Sequence, residues 1–191
     1  MKEKIIKKEE FLTTKWAGGE TTQLFIYPEE SDFSKRDFLF RISSATFTST
    51  ESQFSNFEGF QRYILPLEGN LKIYHKGLYK RDLKEYDVEY FDGGWITFSK
   101  NTLDCRDYNY ILKSGSKATM QILSEGDLIE LNPSSVCTFF SKNDFELSSI
   151  KVAAEERVDG FSLYVLEADE DQQVKISRSS SPVIFTLFKV D

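Results

Sequence analysis

The sequence predicts an all-β protein, a sandwich or barrel of about ten short strands. Three observations lead there. The 191 residues carry 17 Phe, 9 Tyr and 2 Trp against only 10 Gly and 4 Pro, a bias that suits half-buried pleated faces. Within residues 38–48, Phe38, Phe40 and Ile42 stand at alternate positions, with Leu39, Arg41, Ser43 and Ala45 on the other side. Small polar turn residues recur between short apolar runs, and apolar spacing of helical period is nearly absent.

In chain order, Gly18 and Gly19 form a turn leading into a strand at 24–27, and the strand at 38–48 follows. Further strands are expected at 63–67, 71–74, 95–98, 108–112, 118–123, 128–131, 136–140, 161–166 and 183–190. The turns between them include Glu68-Gly69-Asn70, Asp92-Gly93-Gly94, Glu125-Gly126-Asp127 and Ser141-Lys142-Asn143-Asp144. One short helix is expected at 78–90, although Leu78, Leu83 and Tyr86 are poorly phased for it. The turns before Leu71 and Leu128 are alike, a faint sign of two similar halves.

Composition excludes several classes of function. With 24 basic against 31 acidic residues the net charge is −7, which opposes general binding to a phosphate backbone while leaving a local basic patch open. A single histidine, His75, limits acid–base catalysis and transition-metal binding, and its neighbours Lys76 and Gly77 suggest an exposed loop. Charges throughout the first residues argue against a secretory signal, and no run approaches the length of a membrane span. Cys105 and Cys137, far apart and outside any CxxC pattern, read as reduced thiols of a cytoplasmic protein.

Candidate site residues come from three places. Trp16 precedes Gly18-Gly19-Glu20-Thr21-Thr22, where glycines permit close backbone approach to a ligand and hydroxyls supply donors. The GxxxxGK[ST] spacing of a phosphate loop is missing, so a plain glycine turn is the alternative. Arg41 and Ser43 share a strand face, and Arg62, just after the turn at Gly59, supplies a second cation. Two converging guanidinium groups suit a carboxylate or phosphate; the alternative is an ordinary salt bridge for each, with Asp107 or Glu20 for instance. Cys105, Asp107 and Asn109 fall on one face of their strand, where carboxylate and amide orient a ligand, anchor an arginine or face water.

The chain resembles the HutD/Ves family of bacterial cupin-like proteins. Four blocks carry the resemblance: Trp16 with Gly18-Gly19-Glu20-Thr21-Thr22; Phe40-Arg41-Ile42-Ser43-Ser44-Ala45; the stretch from Phe54 through Gly59 to Arg62, with Leu67-Glu68-Gly69; and Phe91-Asp92-Gly93 with Asp107-Tyr108-Asn109. It implies a bicupin, two jelly-roll β-barrels in one chain. The N-terminal barrel, at about 10–115, would hold the site, and the C-terminal barrel would run from about 116 to 191. It further implies a link to histidine utilisation and a small carboxylate ligand. The ligand set expected is Arg62, Arg41, Ser43, Asn109, Asp107, Trp16, Glu20, Thr21 and Thr22. Many members carry a longer Trp-x-Asn-Gly-Gly-Gly-type loop, and its shortening here points to a different ligand.

No metal or other cofactor is expected, since the multi-histidine cluster of metal-dependent cupins is absent. The expected partner is a small anionic metabolite, not nucleic acid or membrane; a homodimer stays open. Three functional classes remain. A binding or sensor protein stands first. The others are a metal-independent isomerase or hydrolase using Glu20, Asp107 or a tyrosine, and an interaction module without a ligand.

Overall fold

A computed structural model of the chain describes residues 2–149 and 154–190. Chain order is β1 (Lys2–Ile6), a 3-10 turn (Lys8–Glu10), β2 (Leu12–Trp16), β3 (Gly19–Tyr27), β4 (Phe40–Phe47), β5 (Glu51–Gln53), β6 (Phe60–Glu68), β7 (Leu71–His75), β8 (Lys80–Leu83), β9 (Glu89–Asp92) and β10 (Thr97–Asn101). It continues with β11 (Arg106–Lys113), β12 (Ala118–Leu123), β13 (Leu128–Leu131), β14 (Ser135–Phe140), β15 (Phe145–Ser149), β16 (Ala154–Val158), β17 (Leu163–Ala168), β18 (Gln172–Ser179) and β19 (Val183–Lys189). No α-helix occurs among the described residues, and none of their helices is long and apolar enough to cross a membrane.

Two compact units divide the chain, Leu12–Gly115 and a second made of Met1–Phe11 with Ser116–Asp191. The first unit is built from a six-stranded sheet, in the order β2-β3-β4-β11-β6-β9, and a four-stranded sheet, β5-β10-β7-β8. Ala45, Phe47 and Ile64 from the larger sheet share one buried cluster with Leu71, Ile73 and Leu83 from the smaller. The sheets therefore enclose a common core. The second unit pairs a five-stranded sheet, β1-β17-β14-β19-β12, with a four-stranded one, β13-β18-β15-β16, around Phe139, Phe145, Val158, Ile176 and Phe185. Strand β1, outside both barrels as the sequence bounds them, completes this five-stranded sheet by antiparallel pairing with β17.

Residues 78–90 are not helical. They form β8, a turn with Tyr86 at φ +65°, and the start of β9. Only Leu83 of β8 points into the core, so the segment has one apolar anchor and its place is set by pairing with β7. His75 is likewise not a loop residue. As the last residue of β7 it continues the inward row of Leu71 and Ile73 and is wholly buried.

The strand expected at 95–98 lies two residues later as β10, with its faces reversed relative to hydrophobicity. Thr97, Ser99 and Asn101 point inward while Phe98 is part-exposed. Each of these side chains has a partner, Thr97 Oγ1 with His75 Nδ1 at 2.9 Å, Ser99 with Ser52 at 2.8 Å, and Asn101 Nδ2 donating to the Ser49 carbonyl at 3.0 Å, although Asn101 Oδ1 has none among the described residues. Hydrogen bonding offsets most of the penalty that would otherwise keep these side chains outside. The β6–β7 turn requires glycine at 69 twice over, because φ is +70° and an added Cβ would lie 2.9 Å from the Cys105 Cα.

Candidate functional site

Strand register brings the two arginines onto one wall. Ile111 of β11 is paired with Arg41 of β4 on one side and with Arg62 of β6 on the other. The three residues form a row across the sheet, placing the arginine Cα atoms roughly 10 Å apart across two strand spacings. One step along β11, Asn109 sits opposite Ser43, and a further step brings Asp107. All of these side chains line a cavity of about 510 Å³ within the first unit. Its charged lining residues are Arg41, Arg62 and Asp107.

Each arginine is more than nine-tenths buried. Arg41 donates from Nε to Gln23 Oε1 at 2.8 Å and from Nη1 to Ser43 Oγ at 3.0 Å, with the Phe33 ring 4.1 Å from its guanidinium carbon. Arg62 donates from Nη2 to Asn109 Oδ1 at 2.6 Å, while its Nε has no hydrogen-bond partner. The rings of Phe54, Phe91 and Phe57 surround its guanidinium at 4.7, 5.3 and 5.7 Å. Burial pulls both arginines down to about 10, so both remain cationic at neutral pH. Among the described residues neither makes the ordinary salt bridge that the sequence leaves open, and their side-chain partners there are neutral.

Asp107 is buried at the end of this network. Its Oδ1 accepts the Ala45 backbone N–H at 2.7 Å, and its Oδ2 accepts Asn109 Nδ2 at 3.1 Å. Loss of solvent pushes its carboxyl up to about 6, outweighing these hydrogen bonds and the nearby positive charge of Arg62. Cys105, expected on the same face, belongs instead to the core cluster with Leu71 and Ile73, and a register shift between Arg106 and Asp107 intervenes.

The glycine block is mostly strand rather than loop. Trp16 pairs with Gly19, leaving only Ala17 and Gly18 as the hairpin turn, and the backbone of residues 19–23 is engaged in pairing with β2 and β4. Alternation then splits the candidates. Trp16 and Thr21 line the cavity and bond to each other, Trp16 Nε1 donating to Thr21 Oγ1 at 3.1 Å. Glu20 and Thr22 lie on the opposite face, Glu20 beside Lys15 at 3.3 Å and Thr22 against Thr13 at 2.8 Å. An added Cβ at Gly19 would sit 2.0 Å from the Thr46 carbonyl oxygen. Gly19→Ala is therefore expected to lower stability by about 1–3 kcal/mol in chemical denaturation; an unchanged midpoint would show that this end of the β3–β4 pair relaxes freely.

Several lining residues escaped the sequence reading. Gln23 was legible, since it continues the alternation of Gly19 and Thr21. Phe33, Phe54 and Phe57 lie on irregular segments, where no period announces which way a ring points. His75 lies away from the cavity lining. Its ring is enclosed by Tyr79, Phe91 and Trp95, and its Nε2 is 3.7 Å from Glu89, whose carboxylate also takes Tyr79 and Arg81. Burial lowers the imidazole pKa and favours the neutral ring. Among the described residues no group of three or more His, Cys, Asp or Glu side chains is placed to hold a metal, so the residues present do not fit a cupin metal centre.

The HutD family profile matches residues 8–184. HutD from Pseudomonas fluorescens SBW25, solved in a formate condition, is 18% identical with a TM-score of 0.80, each chain covering 100% of the other. The conserved protein of unknown function PA5104 from Pseudomonas aeruginosa PAO1 is 19% identical, with TM-score 0.82 and the same full coverage. The bacterial pirin YhhW from Escherichia coli, in complex with nickel(II), is 8% identical at TM-score 0.64, over 98% of this chain and 99% of that one. No curated protein matches. Whole-chain likeness of this kind identifies the architecture as a bicupin, two cupin-type jelly rolls in one chain.

Proposed function

The chain belongs to the HutD family, and from that premise we propose that it is a cytoplasmic binding or sensor protein whose first unit holds a small carboxylate metabolite against Arg62. A link to histidine utilisation is the physiological setting that family membership suggests. One observation carries the proposal: two buried guanidinium groups and one buried carboxylate leave the cavity with an unbalanced positive charge, in a chain whose net charge is −7. A buried cation without a full counter-charge is costly, and an anionic ligand removes that cost. Arg62, ringed by aromatic faces and with Nε unpartnered, has donors left for the planar oxygens of a carboxylate. Arg41, already bonded to Gln23 and Ser43, contributes mainly charge.

The acid–base alternative is weaker. Glu20 is off the cavity and paired with Lys15, and Asp107, although raised to about 6, has both oxygens engaged. Nucleic acid and membrane partners have no support from the cavity's size or from the charge balance.

A thermal-shift panel of small carboxylates, each beside its neutral amide, tests the reading. A carboxylate at about 100 times its dissociation constant should stabilise by about 2.7 kcal/mol, raising the melting temperature by on the order of 5–10 °C. The matched amides should leave it unmoved. Equal shifts with amides, or none with any acid, would sink the proposal, and appearance of product from a binding acid would turn it towards an enzyme.

A further inference from the structure

We propose that Asp107 is a positioning residue: it fixes the Asn109 amide with its oxygen towards Arg62, and this interposed amide leaves the charge of Arg62 available to an anion. The inference rests on the anion-binding reading of the cavity. Arginine only donates hydrogen bonds and a carboxylate only accepts them, so the amide between them has one compatible orientation. Asn109 Nδ2 must face Asp107 Oδ2, at 3.1 Å, and Asn109 Oδ1 must face Arg62 Nη2, at 2.6 Å. The other carboxylate oxygen is held by the Ala45 backbone N–H at 2.7 Å, and the Asp107 carbonyl accepts from Ser44 Oγ at 2.6 Å. Arg62, Asp107 and Asn109 are all more than nine-tenths buried, so water is a poor substitute for a lost partner.

A neutral amide at position 107 breaks this order. The Ala45 N–H, fixed in the sheet, claims the amide oxygen, so the new NH₂ faces Asn109. Asn109 then turns over and presents its own NH₂ to Arg62, donor against donor. A direct carboxylate partner for Arg62 would instead neutralise the guanidinium. The observed arrangement avoids both: the acid is one residue removed and makes no direct ion pair with Arg62, and the amide transmits its orientation.

Acetate titration by NMR and calorimetry, with melting temperatures, on wild type, Asp107→Asn and the double variant Asp107→Asn with Asn109→Asp tests this. Asp107→Asn removes a negative charge from a cationic cavity, so a mere counter-charge predicts tighter acetate. Orientation predicts about tenfold or greater weakening. The double variant restores complementary donors and acceptors along the network and should recover most of the melting temperature lost in the single one. Its acetate binding should stay weak, because a carboxylate then pairs with Arg62 directly. Equal or tighter acetate binding by Asp107→Asn overturns the proposal, as does failure of the double variant to recover stability. If wild type binds no acetate, the functional reading is what suffers; the two melting temperatures still decide the orienting role.

Discussion

Arg62→Ala is expected to weaken carboxylate binding by about 2–4 kcal/mol, roughly 30- to 1,000-fold, because a charged acceptor in a desolvated cavity loses its donor. Arg62→Lys should recover only part of this, since an ammonium cannot offer a planar fork of donors. Stability should move differently. Burial holds Arg62 down at about 10, so loss of solvent opposes the charge, while the rings of Phe54, Phe57 and Phe91 around the guanidinium offset part of that cost. Arg62→Met keeps an apolar stem and removes the charge but leaves Asn109 Oδ1 without its donor, so its melting temperature should fall less than that of Arg62→Ala. Calorimetry and thermal melts on the three variants decide between the roles. Unchanged affinity with a large fall in melting temperature for all three would make Arg62 a structural residue and move the site elsewhere.

The second large effect is a pH dependence of stability centred on Asp107. Its folded pKa, about 6, lies above the ordinary 3.8, so the folded state binds the proton more tightly than the unfolded state. Stability from this group is therefore fully present below about pH 3.8 and is lost as the pH rises through about 6, a change of about 3 kcal/mol. Asp32 and Asp144, whose pKa values are lowered by local hydrogen bonds, act in the opposite direction but lie at the surface, where solvent weakens their contribution. Comparison with Asp107→Asn isolates the buried group. The stability of wild type relative to the variant should decline by about 3 kcal/mol between pH 3.8 and 7 in denaturant titrations. A flat difference would mean that Asp107 is solvated in the folded protein.

The all-β architecture was legible because it depends on local pattern. Strands β4, β6, β7, β11, β12, β13, β14 and β19 are read from apolar runs or alternation close to their observed bounds. What was missed follows from the same cause. Strands such as β8, with Leu83 as its only buried residue, and β10, whose inward face is Thr97, Ser99 and Asn101, belong to the sheet through backbone pairing that any sequence can make. Polar residues enter a core when a partner meets them, and His75 and Thr97 meet across β7 and β10 from 22 positions apart. No single segment contains that information.

The candidate site divides along the same line. By itself the sequence determined that Arg41 and Ser43 share a face, as do Asp107 and Asn109, because a two-residue period is a property of one strand. The same rule separates Thr21 from Glu20 and Thr22 once β3 is known to begin at Gly19, which a glycine turn followed by a strand at 24–27 does not show. Tertiary structure decided the rest. Placing Arg41 and Arg62 on either side of Ile111 requires the register of three strands, set by long-range pairing between residues up to 72 positions apart. Choosing Asn109 over an acid as the partner of Arg62 requires side chains from two strands, and the charge balance of a cavity exists only once its walls have closed.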